Sequence, residues 1–183
     1  MAGSSTDSHP AFFFDLASPV AYVAAERALQ SHPGVEWVPI LARELPGSET
    51  FDAYRCAEER DIAFSQIERG VVAAGLQPLR WPQPFPFDSL FAMRVATYAK
   101  QIGRTVAFAL AAYRQAFAGG RSLAEPDNVV IAAAACEMHP TAVMKAAELR
   151  GVSEGLQSAT ARAIALGVPD VPAVWDGEQL IAA

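Results

Sequence analysis

The patterned part of the chain begins with Ala11 to Leu16 (AFFFDL), a run in which only Asp15 is polar. Successive side chains of a strand point to opposite sides of a sheet, so a run apolar at every position suits a strand buried on both faces. Ser18 then offers an oxygen to helix N–H groups, Pro19 fits a first helical turn, and Tyr22, Ala25 and Leu29 recur at helical spacing. This predicts a helix to about Gln30, stopped by His32-Pro33-Gly34 and followed by a second strand, VEWVPI (35–40). Two strands joined by one helix form a β-α-β unit, which favours parallel pairing and a right-handed crossover.

Past Glu44 the pattern changes to alanine-rich helical segments, roughly 50–74, 87–118, 126–137, 140–149 and 153–166, divided by Gly and Pro. RWPQPFPF (80–87) reads as an extended loop, because each proline disfavours helical backbone at the residue before it. After Gly167 the strand texture returns: VPAVW, a turn at Asp176-Gly177, then EQLIAA, a pattern that predicts a β-hairpin. The chain therefore divides into a flexible tail (1–10), a sheet-forming part (11–43 and 167–183) and a helical insertion (44–166).

Composition narrows the partners. The 183 residues are 52% hydrophobic, enough for one ordinary core and too apolar for a disordered chain. A net charge of -6, a pI near 5.0 and 14 scattered Lys and Arg residues leave no basic stripe for nucleic acid or an anionic membrane. VVIAAAAC, from Val129, is the longest aliphatic stretch and falls short of the roughly 18 residues a membrane span needs. MAGSSTDSHP has neither the basic nor the apolar region of a secretion signal, so a cytoplasmic location is expected, with a small molecule or another protein as partner. Cys56 and Cys136 form no CxxC pair and no His stands at zinc-ligand spacing from them, which supports no metal site. Both lie in alanine-rich stretches and read as small buried hydrophobes, while His9, His32 and His139 read as surface and turn residues.

A β-α-β start and a β-β finish is the order of the thioredoxin fold. There the chemistry sits at the amino end of the first helix, where unpaired N–H groups and the helix dipole favour an anion, and Ser18 holds that place. The fold also sets a proline, commonly after a cis bond, at the head of the third strand, where Val171-Pro172 stands. FFFDLASPVAYVAAERAL, MRVATYA from Met93, and GVPDVPAVWDGEQL resemble the corresponding segments of 2-hydroxychromene-2-carboxylate isomerases and kappa-class glutathione transferases. These belong to the DsbA-like thioredoxin superfamily, and the resemblance spans nearly the whole chain.

The resemblance implies glutathione as cofactor, held at Ser18, Val171 and Pro172, with the Ser18 hydroxyl stabilising its thiolate. It implies an isomerase or transferase acting on a small electrophile or an aromatic acid, as in aromatic catabolism. Redox relatives carry Cys-Pro-x-Cys at this turn, whereas this chain has Ser18-Pro19-Val20-Ala21 and no sulfur with which to attack a disulfide. An oxidoreductase label would thus follow the superfamily and not the turn. Phe85, Phe87 and Phe91 are candidates to line an apolar pocket and Arg94 to meet a substrate carboxylate, although core packing and a surface ion pair are the commoner roles of such residues. Ser18 also suits a plain N-cap, and Asp15 a cap for neighbouring amides, while Tyr22 reads as core. A non-catalytic thioredoxin-like binding module is therefore the second reading.

Three positions differ from the family pattern. Ala21 replaces a small polar residue, Leu45 falls near the lysine expected after the second strand, and no γ-glutamyl-binding segment or final helix follows the hairpin before Ala183. An apolar sheet face left without that helix would predict a homodimer or larger assembly.

Overall fold

A computed structural model of the protein describes residues 9–48 and 56–183. Most of the tail and the first positions of the helix expected from residue 50 lie outside the described residues.

Strand β1 (Ala11–Phe14) sits inside a four-stranded sheet. Strand β2 (Glu36–Pro39) runs parallel to it, with Ala11 opposite Glu36 and Phe14 opposite Pro39. On the other side β3 (Ala173–Trp175) pairs antiparallel, and β4 (Leu180–Ile181) lies outermost, giving the order β2-β1-β3-β4. The Asp176 carboxylate closes the hairpin by accepting from the Glu178 and Gln179 amides, both at 2.8 Å, so the connection spans four residues and not just Asp-Gly.

The unbroken apolarity of β1 is explained by what covers it. Phe12 and Phe14 face a cluster containing Trp37, Tyr22 and Tyr113, with the Phe12 and Trp37 rings 4.9 Å apart. Ala11 and Phe13 face the opposite cluster, where Ala163, Leu166 and Val168 close over them and the Arg162 guanidinium lies 5.5 Å from the Phe13 ring centre. All four β1 residues are fully buried. Helix α7 (Arg150–Ala165), through Ala159 and Ala163, thus covers this β1 face, so the face supplies no uncovered apolar surface from which to argue a dimer.

Helix α1 (Pro19–Ser31) carries the crossover from β1 to β2. Between β2 and β3 the chain forms α2 (Ala57–Ala73), α3 (Leu90–Gln101), α4 (Thr105–Tyr113), α5 (Pro126–Ala134), α6 (Pro140–Glu148) and α7 (Arg150–Ala165). They do not stand apart from the sheet, since α3 and α7 both pack on β2. Pro19, Pro126 and Pro140 each stand in a first turn, where the missing N–H costs nothing.

The single helix expected over 87–118 is two helices. Gly103 adopts a φ of +71°, its N–H donates to Lys100 O, and the Arg104 N–H reaches back to Ala99 O at 2.7 Å. That is a left-handed glycine cap, and it redirects the chain into α4. After Tyr113 the helix widens into one π-turn over Arg114–Ala118, where the Gly119 N–H donates to Arg114 O. Residues 76–89 form neither helix nor strand, and the Gln83–Pro84 and Phe85–Pro86 bonds within them are cis.

Candidate functional site

The chain leaves β1 at Phe14 and turns through Asp15, Leu16 and Ala17 into α1. Ser18 has extended backbone (φ -90°, ψ 113°), and its Oγ accepts from the Ala21 N–H at 3.1 Å. It is therefore a genuine N-cap. With its oxygen accepting there, the hydroxyl hydrogen is left to donate to a further partner, beside the remaining first-turn N–H groups of α1.

Ser18 opens onto a cavity of about 370 Å³. Ala17, Ser18 and Val20 form one wall and Asp170 and Val171 another. The rest comes from Ala42, Arg43 and Ser48 after β2, and from Pro86 to Ser89 at the start of α3. Arg43 pairs with Asp88 at 3.0 Å, but both side chains are about half exposed, so the pair contributes at most about 1 kcal/mol. The Val171–Pro172 bond is cis, and the Val171 N–H donates to Asp170 Oδ1 at 2.7 Å. A larger, shallow depression of about 710 Å³ runs along the outer face of α2 around Ile62 and Val72, and its lining among the described residues comes from that helix.

Asp15 lies at the floor of the smaller cavity and is 3% exposed. Oδ1 accepts from the Ala17 N–H and Oδ2 from the Ala42 N–H, each at 2.9 Å, and Ser89 donates to the same carboxylate. Burial pushes its pKa above the ordinary carboxylate value, against the pull of those three donors and of the Arg43 charge. Its backbone oxygen accepts from the Tyr113 hydroxyl at 2.9 Å and from the Ser18 N–H at 3.1 Å. Burial holds that tyrosine well above the usual phenol range, so it acts there as a neutral donor.

Of the residues singled out from the sequence, Ser18, Val171 and Phe87 meet in this cavity. Pro172 lines an adjoining surface groove with Arg27 and His32, joined to the cavity through Val20. Phe85 stands outside the cavity lining, its ring 6.2 Å from Phe87 and 4.9 Å from Trp81. Arg94 is also absent from the cavity wall and points toward α7, with Nη2 3.5 Å from Ser153 Oγ. Cys136 is buried as expected, but Cys56 is exposed at the start of α2. Asp88, Ser89 and Arg43 were not singled out. Arg43 carried an available signal, since it lies four positions past the end of a parallel strand and ligands gather at the carboxyl ends of such strands. Among the described residues no helix is long and apolar enough to cross a membrane.

A mixed sheet of order β2-β1-β3-β4, a first helix capped at a Ser-Pro turn, a cis X-Pro bond before β3 and, among the described residues, six α-helices between β2 and β3 define a thioredoxin-like α/β protein of the DsbA type. The chain belongs to the DSBA-like thioredoxin domain family, whose model matches residues 11–182. It superposes on 2-hydroxychromene-2-carboxylate isomerase with a TM-score of 0.81 at 16% identity, covering 94% of this chain and 87% of that one. A probable DsbA oxidoreductase from Streptomyces coelicolor gives 0.74 at 22% identity, covering 95% and 82%. Cytosolic disulfide reductase DsbM from Pseudomonas aeruginosa, in its structure with GSH, gives 0.63 at 12% identity, covering 95% and 89%. No curated protein sequence matches significantly. The relatives are isomerase and oxidoreductase enzymes, and the shared element at these identities is the fold.

Proposed function

We propose that the protein is a glutathione-dependent isomerase or transferase that acts on a small electrophile or aromatic acid. The observation that carries this reading is the pairing, in one cavity, of the Ser18 cap of α1 with Val171 of the cis Val171–Pro172 peptide. The donor set fits a thiolate: a hydroxyl with its hydrogen to spare and the positive end of a helix both favour sulfur in its ionised form. When bound, glutathione supplies a sulfur nucleophile that can add to an electrophile and leave again without net oxidation. The chain's own part is to hold that anion at Ser18 and to present the co-substrate against the apolar wall of Pro86 and Phe87.

Isothermal titration with glutathione tests the reading. The wild type is expected to bind at millimolar concentration or better. Ser18→Ala is expected to weaken binding at neutral pH roughly tenfold, the scale of one hydrogen bond to a charged group. Absence of heat at millimolar glutathione would refute it.

A second reading, a binding module without turnover, draws support from the turn itself. Pro19, Val20 and Ala21 offer no second polar side chain beside Ser18. Binding that survives Ser18→Ala, with no product formed from a panel of electrophiles, would select it. Disulfide exchange at this turn is not open to the chain, because the turn holds no cysteine.

A further inference from the structure

The walls of the cavity come from separate stretches of chain, and one buried group touches three of them. Asp15 binds the Ala17 N–H one residue before Ser18, the Ala42 N–H one residue before Arg43, and the Ser89 hydroxyl one residue after Asp88. Its backbone oxygen fastens a fourth element, since Tyr113 of α4 and the Ser18 N–H both donate to it. An ordinary strand-end carboxylate would cap nearby amides, yet Ala42 lies 27 positions away, beyond any local turn. The carboxylate is also sealed from solvent while lining the cavity into which Ser18 opens. Two negative charges held in one cavity of this size raise each other's proton affinity.

We infer that Asp15 is the positioning residue of this site: its carboxylate ties together the segments that carry Ser18, Arg43 and Ser89, and its charge competes with any anion held at Ser18. The inference rests on the reading of Ser18 as the anion-holding group. The charged and titratable groups that face Asp15 are Arg43 from the turn after β2 and Tyr113 from α4, with Asp88 and Asp170 elsewhere in the cavity wall. Arg43 draws Asp15 toward its ionised form, so a second anion arriving at Ser18 displaces that balance toward a proton on Asp15.

The test uses no glutathione, so a failure of the glutathione reading leaves it intact. Ser18→Cys, made in a background carrying Cys56→Ala and Cys136→Ala, places a single titratable thiol at the cap, and its thiolate is followed by absorbance and by the rate of alkylation across the pH range. In the presence of Asp15 the titration is expected in two steps, as coupled groups give. Adding Asp15→Asn should collapse it to one step and lower the midpoint by about one pH unit, a tenfold gain in thiolate at fixed pH. Amide exchange at Ala17 and Ala42 should quicken in the same variant, since Asn has only one accepting oxygen for two donors. A role confined to fold stability would change exchange rates but leave the sulfur's midpoint in place, and that result would overturn the inference. Should the variant with Asp15→Asn not fold, the Ser18→Cys protein in the same background still decides: two titration steps support it and one step overturns it.

Discussion

At the scale of residues, the site depends on groups that do two jobs at once. Ser18 caps α1 with its oxygen and keeps its hydrogen for a ligand. Tyr113 is a core aromatic, fully buried and 6.3 Å from Phe14 ring to ring, and yet its hydroxyl reaches the Asp15 carbonyl. That carbonyl retains the Ser18 N–H when the hydroxyl is removed, so it is not orphaned. Tyr113→Phe is therefore expected to cost about 1 kcal/mol, the net worth of one hydrogen bond, and not the larger penalty of a buried unsatisfied group. Urea denaturation measures it, and a loss of about 3 kcal/mol would show that the turn collapses without the tyrosine.

At the scale of elements, the break between α3 and α4 turns on one glycine. An added Cβ at Gly103 would meet nothing within 4 Å, so the only obstacle to a side chain is the positive φ. Gly103→Ala should accordingly destabilise by about 1 kcal/mol, with no change in the packing around α3. A calorimetric melting temperature lowered by a few degrees is the expected result. A rise would mean that α3 and α4 can fuse into the single helix that the alanine periodicity of 87–118 suggests.

At the scale of the whole molecule, the sheet is closed on both sides by helices, and Asp15 is the charge sealed near their junction. Its folded-state pKa is raised above the unfolded value, so protonation favours the folded chain. Its contribution is complete below about pH 4 and is lost as pH rises through the raised folded value. Asp15→Asn takes no part in that titration. The variant loses a hydrogen bond at every pH, but it should gain on the wild type as the pH climbs from about 4 toward 7. Denaturation midpoints of both proteins over that range check the sign, and a pH-independent difference would show that Asp15 has the same pKa folded and unfolded.

The order of elements was legible in the sequence because it rests on local signals. Period-two and period-3.6 apolar patterns, a Ser-Pro helix start and an Asp-Gly turn each act within a few residues. They placed Ser18 at the head of α1 and Val171-Pro172 before β3. Where the local signal was silent the reading overran, as at Gly103, or misjudged exposure, as at Cys56. What only the tertiary structure decided is which side chains share a cavity. Phe87 lines it and Phe85 does not; Arg94 turns toward α7, while Arg43 and Ser89, 46 positions apart, arrive beside Asp15. Those meetings follow from how the helices between β2 and β3 pack back on the sheet, and no spacing along the chain encodes them.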